Sequence, residues 1–444
     1  MTKALPSGGS NRQGTRMHQA IDTNIRSANA DGRSVGMREF VVLMAALMSL
    51  NALAIDAMLP ALDEIAQAYR VTDPNQRQLV VGVYLLASGL GALLPGSLAD
   101  RFGRRPVLFT SLGLYALFGL ACAFAPTFDV LLVLRFAQGF LTAGLIVLPA
   151  AIIRDRFEGD RMARLLSLIF LVFMIVPVVA PTVGQLVLSF APWEYIFVLL
   201  AVMSGTVFAW AFRRLPETLA TEDRQPIDAL SVMRNLPLTF RTRVAIGYVI
   251  AAGLTFGAIF GYINSAQQLI GEHYGAGDDF PLIFGLTAST LFFSSFTNSR
   301  IVEKFGARRV SHTALVLFLV FSLAQVGVAL LAPDNLWLFV PLMAGNLCLL
   351  GFTGSNFGSI AMQPFADTAG AASSVQSFVR MTLGAVMGIL IGQAYDGTAM
   401  PLALSLLACS ILALLLVLFS ERGKLFRRPG EARRYLAVHD VMRG

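Results

Sequence analysis

Charge is what this 444-residue chain has least of. Asp, Glu, Lys and Arg make up only 14 % of it, against 56 % apolar residues and a mean hydropathy of +0.67. Soluble domains carry roughly 25 % charged residues, and a globule of this length needs them to cover its surface. The shortage excludes an ordinary soluble enzyme, and the apolar excess excludes a disordered chain. Cysteine is also scarce. Cys122, Cys348 and Cys409 lie far apart inside apolar runs, so a disulfide scaffold is excluded and each reads as a small apolar residue. The four histidines, His18, His273, His312 and His439, have no metal-ligand spacing. No metal or cofactor is therefore expected, and His273 and His312 are expected in solvated or interfacial positions. The chain lacks a Gly-x-x-x-x-Gly-Lys-Ser/Thr loop, which removes ATP as a direct energy source.

Long apolar runs are what the sequence has instead. A bilayer core of about 30 Å takes about 20 apolar residues as helix. Twelve runs qualify: 40–60, 79–99, 107–126, 130–153, 165–189, 195–212, 243–264, 281–299, 310–332, 336–363, 372–394 and 401–420. Helix is the only conformation that satisfies the backbone inside lipid, and the alternation of a membrane barrel is absent. The chain is thus read as an all-α polytopic membrane protein with twelve transmembrane helices, whose 39 glycines suit close helix crossings.

Basic residues give the orientation. Of the 34 Lys and Arg, only Arg70 and Arg77 fall in loops on one side, and Arg135 and Arg380 fall within spans. All others lie in segments on the opposite side, which the positive-inside rule makes cytoplasmic. Both termini are then cytoplasmic. The formal charge of +7 is explained by that placement, so no nucleic-acid partner is expected and the bilayer is the surface the charge serves. Residues 1–38 read as a disordered cytoplasmic tail, because no apolar segment lies near enough to the start for a signal peptide. Residues 213–242, with Pro216, Pro226 and Pro237, read as a cytoplasmic linker. It separates a six-helix bundle over 39–212 from a second over 243–420, and 421–444 forms a basic tail.

A repeat supports two pseudo-symmetric halves. Gly96-Ser-Leu-Ala-Asp100-Arg101-Phe-Gly103-Arg104-Arg105 follows the second span, and Ser299-Arg-Ile-Val-Glu303-Lys304-Phe-Gly306-Ala-Arg308 follows the eighth, offset by 203 residues. Paired bundles around a central path are a transporter's symmetry. The first copy resembles the loop signature of the major facilitator superfamily. Ala54-Ile-Asp-Ala-Met-Leu-Pro-Ala-Leu, Arg135-Phe-Ala-Gln-Gly139, Ala180-Pro-Thr-Val-Gly184 and Ala369-Gly-Ala-Ala-Ser-Ser374 resemble segments of its drug:proton antiporter branch, and within it of the bicyclomycin-resistance (Bcr/CflA) subfamily. The resemblance covers about 40–420. It implies alternating access by two bundles of the major facilitator fold, driven by protons.

Asp56 and Arg135 are the sharpest candidates. Asp56 lies about 24 Å along its helix, Arg135 about one turn below the outer surface, and the two are placed to pair. Either Asp56 takes up the coupling proton under the influence of Arg135, or the two form a structural ion pair between helices one and four. Arg380 either lines the cavity or snorkels. Tyr248, Phe256, Phe260, Tyr262, Asn264 and Gln267 on helix seven form a candidate substrate wall. Gly96, Asp100, Arg101, Gly103, Arg104 and Arg105, with Glu303, Lys304, Gly306 and Arg308, are candidate gating residues, or membrane anchors. Pro177, Pro181 and Gly184 are a candidate hinge in helix five. Gly384, Gly388 and Gly392 make a small-residue face on helix eleven. The expected function is proton-coupled efflux of small amphipathic or drug-like molecules across a bacterial inner membrane, by a monomer and with no catalytic residues. The alternatives are a specific exporter of a polar metabolite such as a sugar, nucleobase or amino acid, or a non-transport receptor.

Overall fold

The computed structural model describes residues 36–157, 175–224 and 242–426, together with 162, 165, 168 and 169; for 366–372 and 374 it describes the backbone alone. The expected tails over 1–35 and 427–444, most of the 213–242 linker and much of the first half of the 165–189 span lie outside the described residues.

Backbone groups in hydrocarbon have no water to bond, so each apolar run closes its hydrogen bonds on itself. The helices are α1 (Met37–Ala68), α2 (Pro74–Gly91 with Leu94–Phe102), α3 (Arg104–Ala123), α4 (Phe128–Arg156), α5 (Val176–Leu188), α6 (Glu194–Arg214), α7 (Arg243–His273), α8 (Phe280–Phe305), α9 (Ala307–Leu331), α10 (Leu336–Phe365), α11 (Ala369–Gln393) and α12 (Met400–Ser420). Ten are long and apolar enough to cross a bilayer; α2 is bent by 47° between its two parts, and α5 is shorter. In order they account for the twelve runs of the sequence. No strand occurs among the described residues.

Gly36 and Phe426, where the described chain begins and ends, share one face with the turns at Gly103 and Gly306; it is called here the tail face. The α1–α2, α7–α8 and α11–α12 loops form the far face. Within the first half, α2 packs on α4 and α3 on α6; within the second, α7 packs on α11 and α12, and α10 on α8 and α9. Contacts of α2 with α11 and of α5 with α8 join the halves. α1 and α7 are the central helices. In them 78 % and 72 % of the most apolar stretch is buried, against 44 % at most in the other spans of that length. The rest turn one apolar side outward, as lipid requires.

Besides α2, the helices α1, α4 and α7 depart from regularity at positions that bear on the site. α1 stops being α-helical after Asp56, and Leu59–Ala61 continues as a tight 3-10 turn around Pro60, which has no N–H to donate. α4 breaks at Thr142 and Ala143. α7 ends in a π-helical turn, Gln268–His273.

Candidate functional site

Arg135 is fully buried, and its guanidinium is held by neutral acceptors. Nε donates to the Val80 carbonyl at 2.9 Å, Nη1 to Gln138 Oε1 at 2.8 Å and Nη2 to the Ala54 carbonyl at 2.8 Å, over the Tyr84 ring at 4.2 Å. Ala54 lies in the last turn before α1 breaks, where carbonyls lack intrahelical partners. Asp56 is 3 % exposed, and its Oδ1 has no hydrogen-bond partner. The two residues form no ion pair. The expected pairing is corrected here: the α1 break supplies the guanidinium with a backbone carbonyl instead. Gly184 of α5 packs on the Ala57 carbonyl, so close that any side chain there would collide. Pro177 opens α5 and Pro181 lies inside it. The candidate hinge thus presses on the α1 break one residue past Asp56.

Helix seven does not present its candidates as one wall. With 3.6 residues per turn, Phe256, Phe260, Asn264 and Gln267 share a side, Tyr248 lies at its edge toward the tail face and Tyr262 lies opposite. Phe256 touches Arg380, whose guanidinium carbon is 4.6 Å from the ring centre. Phe260 and Asn264 press on Gly388, and Asn264 on Gly392. Both amide atoms of Asn264 and Gln267 Oε1 lack partners. Tyr262 bonds Thr287 of α8 at 2.8 Å and stacks on Phe284. Tyr248 bonds His312 at 2.7 Å. Tyr248 and Tyr262 are therefore corrected from substrate wall to packing within the second half.

The far face ties the halves together, through residues that the sequence reading had not singled out. Arg77 is 3 % exposed; it donates from Nη1 to Asp63 Oδ1 at 2.7 Å and from Nη2 to Glu272 of α7. Gln78 donates to Gln268 in the π-helical turn. Asn75 donates to the carbonyls of Gln393 at 3.1 Å and Tyr395 at 2.6 Å, and Gln393 returns a bond to the Asn75 carbonyl at 2.7 Å. Burial and the charge of Glu272 push the Tyr395 phenol up to about 12, so it keeps its proton and donates to the Gln268 carbonyl. A cleft of about 500 Å³ lies over these contacts, with Asp73, Glu272 and Asp396 at its rim.

The tail face ties each half to itself. Gly103 and Gly306 turn with φ of +104° and +85°, a conformation glycine alone adopts at no steric cost. Beside Gly103, Arg104 bonds Asp100 at 2.5 Å and Asp155 at 2.8 Å. Glu217, beyond α6, accepts the Arg104 and Arg105 amides at 2.9 and 3.1 Å and so caps the start of α3. Arg105 reaches the Phe212 carbonyl at 2.8 Å; Arg101 is exposed, and Gly96 has open space beside it. In the second half Arg308 bonds Glu421 at 2.7 Å and Gln363 at 2.9 Å. Tyr248 donates to the same Glu421 at 2.9 Å, and the Phe426 amide donates to His312 Nδ1 at 3.0 Å. His312 is fully buried, which corrects its expected solvated position: its ring is a packed member of this network. Glu303 and Lys304 are exposed outside it. The three cysteines are free thiols, and no group of three or more metal-ligating side chains occurs among the described residues.

Residues 44–390 match the model of the Major Facilitator Superfamily. A bicyclomycin resistance protein homolog of Haemophilus influenzae is 30 % identical over 384 residues, covering 86 % of this chain and 95 % of its own. The multidrug resistance protein MdtL of Escherichia coli O157:H7 is 30 % identical over 404 residues, covering 87 % and 97 %. Among solved structures, a D-xylose-proton symporter superposes with a TM-score of 0.67 at 14 % identity, covering 86 % of this chain and 95 % of that one, which speaks for the fold alone.

Proposed function

Because the chain belongs to the Major Facilitator Superfamily, and is thus a membrane transporter and not an enzyme, we propose that it exports small amphipathic or drug-like molecules in exchange for protons. The bundles over 39–212 and 243–420 rock about a site at their seam, in a bacterial inner membrane, as a monomer with both tails cytoplasmic. The names of the relatives support the substrate class, and the positive-inside pattern supports the orientation. One observation carries the coupling: Asp56, buried within its span, has an unpartnered carboxyl oxygen at the break in α1. An acid so placed in hydrocarbon points to a proton site. When Asp56 binds a proton, the cost of its buried charge disappears. The break and the Pro181–Gly184 contact of α5 then let that local change move a helix end. The test is Asp56→Asn in proteoliposomes. Proton-driven export is expected to vanish, while exchange of labelled for unlabelled substrate without a proton gradient persists. Undiminished proton-driven export would reject the role of Asp56.

A further inference from the structure

Arg380 differs from the buried arginines Arg135 and Arg77. Arg135 has three neutral acceptors, and Arg77 two carboxylates. Arg380 has no hydrogen bond or ion pair among the described residues; its guanidinium lies over the Phe256 ring. It lies near the middle of α11, about 17 Å from one end and about 20 Å from the other. It is only partly buried. One turn away on the same side of α11, Gln376 is 8 % exposed and its Nε2 donor has no partner. α11 itself runs along the seam between the halves: a side-chain carbon added to Gly89 of α2 would come 3.1 Å from the Thr382 amide nitrogen. Gly354 of α10 lies on the other side of the Phe256 ring, where an added side-chain carbon would stand 3.6 Å from it.

A charge at this depth persists where it faces a polar space or a ligand. Two unpartnered donor groups, one a guanidinium, suit an acceptor of negative charge, and an arginine fork matches a carboxylate or sulfonate bidentately. We infer that Arg380 and Gln376 are a ligand anchor for the anionic end of an amphipathic molecule whose apolar body lies along Phe256. The inference rests on the transport reading and narrows its substrate class. Near this anchor a cationic molecule is repelled.

The test uses the full chain, purified in a neutral maltoside detergent, and three probes that share one ring system. They are 2-naphthylacetate, its amide, and 2-naphthylmethyl-trimethylammonium, titrated by calorimetry. The acetate is expected to bind about tenfold more tightly than the amide, the size of one charge-assisted contact, and the ammonium most weakly. Arg380→Gln should erase the preference for the acetate, and Arg380→Lys should keep part of it. Arg380→Met should melt at or above the temperature of the unaltered protein, because a group kept for binding costs stability. Equal binding of acetate and amide, binding of none of the three, a preference that survives Arg380→Gln, or a marked loss of melting temperature in Arg380→Met would each overturn the anchor. Proton movement in proteoliposomes is scored separately. A protein that prefers the acetate but moves no protons retains the anchor and loses the coupling mechanism.

Discussion

The two faces of the molecule use polar side chains in opposite ways. On the far face they cross between the halves: Arg77 to Glu272, Gln78 to Gln268, Asn75 to Gln393 and Tyr395. On the tail face they fold back, Arg104 onto Asp100 and Asp155 in one half and Arg308 onto Glu421 in the other. The tail-face clusters therefore brace each half as a unit, and the far-face contacts must break for the halves to part there. Hydrogen bonds are short-ranged, so a separation of a few ångströms forfeits all of those across the far face together.

Breaking the far-face tie at Arg77 gives the largest expected effect. Removing one member of a fully buried ion pair costs about 3–5 kcal/mol. Asp63 and Glu272 keep 49 % and 42 % of their side-chain surface in contact with solvent, which reduces their attraction to Arg77. Arg77→Met should then favour a parted far face by about 2 kcal/mol, about 30-fold in population. Spin labels on cysteines at Asp73 and Asp396, in a background without the native cysteines, should report a new long distance. A single unchanged distance would show that the amide contacts alone hold this face.

The tail-face turns allow a finer comparison. A side chain forced to positive φ costs about 1–2 kcal/mol, and both Gly103→Ala and Gly306→Ala incur it. At Gly103 the added carbon also falls 2.5 Å from the Glu217 carboxylate, whereas nothing lies within 4 Å at Gly306. Losing the Glu217 cap adds about 1 kcal/mol, so Gly103→Ala should lower the melting temperature about 1.5 to 2 times as much. Equal losses would show that Glu217 yields without cost. The smallest effect belongs to Arg101→Ala. That side chain is exposed, and its removal should change stability by less than about 0.5 kcal/mol, read from the same melting curves.

What the sequence discloses depends on how far apart the partners lie. Spans need only local hydropathy, and the two turns only a motif containing Gly103 and Gly306, so both were legible. The Arg135–Gln138 contact is also local, three residues apart along one helix. Arg77 and Glu272 lie 195 residues apart, and a lone arginine in a loop between spans reads as solvated. Pro60 was a visible sign that α1 breaks. That the break would offer Ala54 to Arg135 depends on how α1 and α4 pack. The helix-seven candidates were chosen by residue type; helical phase alone would have set Tyr262 apart from Phe256.

The glycines of α7 and α11 carry a mechanical consequence. Gly253, Gly257 and Gly261 receive Leu383, Met387 and Ile391, while Gly384 and Gly388 receive Phe256 and Phe260. Each helix supplies teeth and each supplies gaps, at four-residue intervals. Such racks cannot slide by a fraction of a tooth: a shift shorter than about 6 Å, four residues of rise, would drive side chains into backbone. The pair therefore acts as a stiff rod, and a displacement imposed at one end reaches the other undiminished.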